Sequence, residues 1–204
     1  MPDFETSALA LLLVAALAYL LGSVPFGVVV SKLFGLPDPR SIGSGNIGAT
    51  NVLRSGSKPA AFVTVLLDGA KGLVAVVLAK SFFGADAAQV AGLFAFVGHI
   101  FSLWLGFKGG KGVATFLGVL IGLSLMLGAI AAGLWLLGYA VFRISSLSAL
   151  TSAVITPLAA LFTGFGSTFI VLVVMSALLI WRHKENIQRL RSGTEPSVNW
   201  GKKS

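Results

Sequence analysis

The sequence contains no cysteine. Disulfides, iron–sulfur sites, thiolate zinc sites and a cysteine nucleophile are therefore excluded. Charge is scarce: 11% of the 204 residues are Asp, Glu, Lys or Arg, against about a quarter in a soluble domain. Acid is scarcer than base, with 7 Asp and Glu beside 15 Lys and Arg and a net charge of +8. Histidine occurs only twice, in separate segments with no carboxylate cluster, so no metal site is expected. Apolar residues fill the rest, 56% of the chain at a mean hydropathy of +0.93. So oily a chain has too little polar surface to coat a water-soluble globule, which excludes both a soluble enzyme and a disordered chain. The 25 glycines fit helices inside a bilayer. In a soluble protein the basic excess would suggest nucleic acid; here it marks loops held in the cytoplasm, and no nucleic-acid partner is expected.

A spanning helix needs about 20 apolar residues. The first run is Ala8 to Phe34, interrupted at Gly22-Ser23-Val24-Pro25. Asp3 and Glu5 precede it where a cleavable signal would carry basic residues. Further runs are Ala60 to Phe83, Ala87 to Leu105, Leu147 to Phe162 and Ser167 to Trp181. Gly112 to Phe142 is uncharged over 31 residues, long for one crossing and short for two. Charge decides between them. With two crossings, the basic loops Gly35–Lys58 and Phe107–Lys111, the corner Arg143 and the tail from Arg182 to Lys203 all share one side. With one crossing, Arg143 and the tail sit across the membrane from those loops, against the positive-inside rule. The chain thus reads as an all-α integral membrane protein with seven transmembrane helices. Its N-terminus is outside and its C-terminus cytoplasmic. It forms one domain over 1–204, ending in a short basic tail from about 183 to 204. Lys80, near the outer end of its helix, is the exception and can snorkel.

In this topology the polar residues concentrate on the cytoplasmic side in three pieces. The first runs from Ser41 to Arg54. Its glycines alternate with Ser44, Asn46, Thr50 and Asn51, and Arg54 closes it. Successive glycines let backbone N–H groups form an anion nest, and a guanidinium fork suits phosphate. A plain solvated loop is the competing reading. The second piece is Phe107-Lys108-Gly109-Gly110-Lys111-Gly112, just before a helix N-terminus. Its N–H groups, the positive helix end and two ammoniums favour a bound anion over a merely topogenic turn. The third is Arg182 to Leu190. On a continuous helix His183, Asn186, Ile187 and Leu190 share one face, and Glu185 and Arg189 are spaced for an exposed ion pair. An amphipathic juxtamembrane helix explains the basic residues there but not an inward His and Asn. Within the membrane, Asp68 and Lys71 share a helix face and can pair. Asp68 and His99 lie at matched depth, as a functional group or as a satisfied structural network.

Laid in order, these pieces resemble the bacterial acyl-phosphate:glycerol-3-phosphate acyltransferases, the PlsY family. The matching strings run from Gly43 to Arg54, Asp68 to Gly72, Gly98 to Phe101, Phe107 to Thr115, Arg182 to Leu190 and Gly193 to Glu195. They lie within a resemblance from about Gly22 to Glu195, with no motif residue replaced. The resemblance implies seven helices in the bacterial inner membrane with cytoplasmic motifs, and the first acylation of phospholipid synthesis. An acyl group would pass from acyl phosphate to the sn-1 hydroxyl of glycerol 3-phosphate, giving lysophosphatidic acid and phosphate. No cofactor is implied. Membrane lipid and functional coupling to the enzyme that makes acyl phosphate are. Ser44, Arg54, His183 and Asn186 match the family's functional residues. Lys108, Gly109, Gly110, Lys111 and Gly112 match its glycerol-phosphate loop, and Glu195 a supporting residue.

The side chains suit that reaction. Arg54, Lys108 and Lys111 can neutralise two phosphates. Ser44, Asn46, Thr50, Asn51 and Asn186 can orient an acceptor and an oxyanion, with Asp68, Lys71, His99 and Glu195 in support. Three routes for the hydroxyl proton stay open: His183 as base, a phosphate oxygen of the substrate, or covalent catalysis through Ser44, which has no adjacent base. The rival class is a transporter of a phosphorylated small molecule. Transporters place their sites at the midplane between internal repeats, whereas the densest motifs here lie at one face and no repeat is visible. Only Asp68 and Lys71 favour transport.

Overall fold

The computed structural model describes residues 5–197. Asp3, Lys202 and Lys203, used above to orient the chain, lie outside them. All regular structure among the described residues is helical. The chain divides into two compact units, one through Gly128 and one from Ala129. The first holds α1 (Ala8–Ser23), α2 (Phe26–Leu33), α3 (Ala49–Leu53), α4 (Lys58–Phe83), α5 (Ala85–Ile100), α6 (Val113–Leu123) and the start of α7 (Leu125–Phe142). The second holds the rest of α7, α8 (Ser145–Phe162), α9 (Phe169–Arg182) and α10 (Lys184–Arg191).

The breaks have local causes. Pro25 lacks the N–H that would continue α1, and α2 starts directly after it. Ser57 caps α4 by accepting from the Ala60 N–H at 3.2 Å. The uncharged stretch from Gly112 is two helices, separated at Ser124, whose backbone is extended (φ −160°). Among the described residues five segments are long and apolar enough to cross a membrane: Ala8–Leu33, Lys58–Phe83, Ala85–Leu105, Leu125–Phe142 and Ser145–Phe162. A sixth exists if α9 and α10 count as one span, although they bend by 61°. The third polar piece is therefore no straight continuation of the last helix; the chain turns at His183. With 11 residues, α6 reaches only about 16 Å, short of the ~30 Å of hydrocarbon.

Within the first unit α1 packs along α5, and α4 packs against α5 and α6. The seams are built of small residues. Val14, Ala18, Ala75, Ala79, Ala87, Ala91 and Ala95 form one buried cluster. A Cβ on Gly22 would strike the Ala95 backbone, and one on Gly118 the Gly69 backbone. The large residues Leu9, Leu12, Leu13 and Leu17 of α1 point outward instead. Such inversion, small inside and Leu outside, suits a lipid surround: burial of apolar area drives nothing there and close backbone approach supplies the contact energy.

Candidate active site

In the first unit, the segment from Ser41 ends as the short helix α3 rather than as loop throughout. Asp38 caps the preceding turn, and its carboxylate grips the Arg40 guanidinium at 2.6 Å. Hydrogen bonds and charge from Arg40 hold the Asp38 carboxyl below the usual range. Gly43 and Gly45 take the left-handed backbone (φ +52° and +67°) that lets the chain double back. Asn51, expected to donate to a substrate, points inward and is only 1% exposed. Its Nδ2 donates to the Pro39 carbonyl at 2.6 Å and the Ile42 carbonyl at 3.1 Å. Its Oδ1 accepts from the Ser44 N–H at 3.1 Å and from Arg54 Nη1 at 3.3 Å. Ser44, Thr50 and Arg54 are exposed and Asn46 half-buried.

The second segment folds back on the end of α5. The Gly109 N–H donates to the Ile100 carbonyl and the Gly110 N–H to the His99 carbonyl, each at 3.0 Å. These two N–H groups thus face protein, not an anion, and the glycines answer a packing demand. A Cβ on Gly109 would strike the His99 carbonyl, and one on Gly110 the His99 Nε2. Lys108 is exposed, Lys111 half-buried, and Gly112 leads into α6 in the left-handed region (φ +87°).

Next to the second segment lies a buried polar cluster. Lys71 Nζ sits 2.8 Å from Asp68 Oδ1, with the two side chains 1% and 3% exposed. Lys71 also donates to the Val24 carbonyl at 2.8 Å, which lies at the α1–α2 break. His99 Nδ1 stands 3.5 Å from the same Asp68 oxygen. Thr115 of α6 donates to the Asp68 carbonyl at 2.9 Å. The cluster ties the α1–α2 break, α4, α5 and α6 together.

In the second unit, His183 and Asn186 are 2% and 6% exposed, while Lys184 and Gln188 face outward. His183 Nδ1 lies 2.8 Å from the Leu179 carbonyl. A carbonyl only accepts, so Nδ1 carries a proton. Glu195 gathers three donors: Ser146 at 2.7 Å, Asn186, and Arg189 at 2.7 Å. Arg189 therefore meets Glu195, not Glu185 as helical spacing suggested. Burial opposes charge on Glu195, but these hydrogen bonds and the Arg189 charge outweigh it and hold the carboxyl below its ordinary value. A depressed carboxylate contributes stability above its unfolded pKa of about 4.3 and loses it as pH falls through the lower folded value. Amide protection in α10, measured against the intrinsic exchange rate at each pH, is thus expected to fall below about pH 4. Glu195→Gln should show low α10 protection already at neutral pH and little further loss of protection on acidification. Equal exchange in both proteins at neutral pH would contradict this role.

No group of three or more His, Asp or Glu able to hold a metal occurs among the described residues.

A family model described as glycerol-3-phosphate acyltransferase matches residues 12–193. A glycerol-3-phosphate acyltransferase of Jannaschia sp. (strain CCS1) is 55% identical over 97% of each chain. A crystal structure of PlsY (YgiH), an integral membrane glycerol 3-phosphate acyltransferase in its glycerol 3-phosphate form, superposes with a TM-score of 0.88 at 38% identity, covering 93% of this chain and 96% of that one. Its lysophosphatidic acid form gives 0.86 at 37% identity, covering 93% and 95%.

Proposed function

The chain belongs to the glycerol-3-phosphate acyltransferase family, and from that premise we infer that this membrane protein acylates the sn-1 hydroxyl of glycerol 3-phosphate with an acyl phosphate donor. The hydroxyl oxygen attacks the acyl carbonyl carbon. A C–O bond forms, the bond from that carbon to the phosphate oxygen breaks, and inorganic phosphate leaves with the electron pair. Acyl phosphate is a mixed anhydride with a good leaving group, so catalysis consists mainly of neutralising two phosphates, aiming the hydroxyl and stabilising the oxyanion. Arg54, Lys108 and Lys111 supply charge. Ser44, Asn46, Thr50 and Asn186 supply oriented hydrogen bonds, and Gly112 leads the loop into the α6 N-terminus. Gly109 and Gly110 hold that loop against α5. His183 is the acceptor assigned to the hydroxyl proton. Transfer is direct in this reading, without an acyl-enzyme on Ser44.

The observation that carries this reading is the exposed Arg54 guanidinium, held by Asn51 beside Ser44 in a glycine-turned segment. The Asp68–Lys71 pair supports it too. These charges neutralise each other at a helix break, where in this reading they tie α4 to the α1–α2 corner. A donor panel tests it. Purified protein in nanodiscs is given glycerol 3-phosphate with palmitoyl phosphate, palmitoyl-CoA or palmitoyl-acyl carrier protein. Lysophosphatidic acid is expected from palmitoyl phosphate alone. Turnover with a thioester and none with the phosphate would overturn the donor assignment.

The same proposal sets seven crossings in the bacterial inner membrane, N-terminus outside and the three polar segments cytoplasmic. The chain has no native cysteine, so single replacements report cleanly. Cysteine at Ser57 or Ser192 is expected to react with an impermeant maleimide only in inverted vesicles, and at Ser7 only in right-side-out cells. Labelling of Ser57 and Ser192 from opposite sides would refute the topology.

A further inference from the structure

The Asn51 amide is fully spent. Its two N–H groups serve two backbone carbonyls, Pro39 and Ile42, and its oxygen's two lone pairs serve the Ser44 N–H and Arg54 Nη1. At 1% exposure it has neither surface nor hydrogen-bonding capacity left for a substrate. The bonds fall into two sets. The donor half clamps the turn ahead of Gly43. The acceptor half holds two groups of the exposed site, the backbone at Ser44 and the side chain of Arg54, in fixed relation. Packing reinforces this arrangement. A Cβ on Gly43 would strike Asn51 Oδ1 and come within 2.9 Å of Arg54 Cδ and 3.2 Å of Arg54 Nη1. Asn51 takes one of the five guanidinium donors and sets the direction of the rest.

We propose that Asn51 is a positioning residue that presets the Arg54 guanidinium before substrate arrives, and that it acts on transfer only through that group. The aim of Arg54 is then built into the fold rather than induced by phosphate. This rests on the transferase reading for its kinetic consequence, but the geometry has its own readout.

The test is a double-mutant cycle between Asn51→Ala and Arg54→Lys, with thermal unfolding in the same detergent to confirm that each variant is folded. Misplacing a charged group by about 1 Å costs up to ~100-fold, so Asn51→Ala is expected to lower kcat/KM by about tenfold to a hundredfold. Because its effect passes through Arg54, adding it to Arg54→Lys should cost no more than about threefold further. Losses that multiply in the double variant, or an Asn51→Ala enzyme within about twofold of the parent, would overturn the proposal. If Asn51→Ala does not fold, Gly43→Ala pushes the same pair from the other side and enters the same cycle with the same expectation. A readout independent of activity is modification by phenylglyoxal, followed by peptide mapping. Arg54 should react several-fold faster in Asn51→Ala, with Arg143 unchanged. If the parent protein shows no transfer, the functional reading fails while the phenylglyoxal comparison still decides the positioning. An unchanged Arg54 rate would reject it.

Discussion

Arg54→Ala is expected to lower kcat/KM by about 10²- to 10³-fold and to leave turnover depressed even at saturating concentrations of both substrates. The first unit contributes two arginines to the segment before α4, and they differ in what they can do. Arg40 is committed to Asp38, which it meets through Nε at 3.0 and 3.1 Å and Nη2 at 2.6 Å. Arg54 ends α3 in the exposed position and spends one Nη1 bond on Asn51. A planar fork beside Ser44 can take a phosphate bidentately and supply charge where the leaving group gains it. Arg40→Ala, which removes a positive charge from the same segment, should stay close to the parent rate. Initial rates of lysophosphatidic acid formation in nanodiscs check both. A near-normal rate for Arg54→Ala at saturation would show that the phosphate role is misassigned.

His183→Ala is expected to lower kcat by about 10²- to 10⁴-fold. The chain turns by 61° where α9 meets α10, and His183 occupies the corner, buried, with Nδ1 on the Leu179 carbonyl. That bond holds the ring through Nδ1 and leaves the proton path to Nε2 in this reading. A His183→Ala enzyme within about threefold of the parent would remove His183 from the proton path.

Much of the architecture was legible because bilayer chemistry is written in composition. Apolar runs marked the helices to within a few residues, although α6 is shorter than a crossing; Pro25 marked the first break, and the buried pairing of Asp68 with Lys71 followed from i, i+3 spacing. The site was legible by residue type more than by direction. Asn51 belongs to a string of donors, but whether its amide faces a ligand or its own chain depends on the left-handed turns at Gly43 and Gly45. Gly109 and Gly110 resemble a phosphate nest in sequence, yet their N–H groups close onto α5. Only the fold places His99 where a Cβ on Gly110 would stand. Glu195 drew notice from the resemblance alone. Its partners Ser146, Asn186 and Arg189 come from α8 and α10, and no local spacing links Ser146 to it. The bend at His183 carries no proline or glycine signal, so a straight helix was the natural expectation there.

The most direct measurement is stoichiometry. The purified protein, supplied with palmitoyl [³²P]phosphate and unlabelled glycerol 3-phosphate, should release labelled inorganic phosphate and form unlabelled 1-palmitoyl-glycerol 3-phosphate in equal amounts. Omitting glycerol 3-phosphate should stop phosphate release. Release that continues without the acceptor, or lysophosphatidic acid formed without matching phosphate, would contradict direct transfer from acyl phosphate.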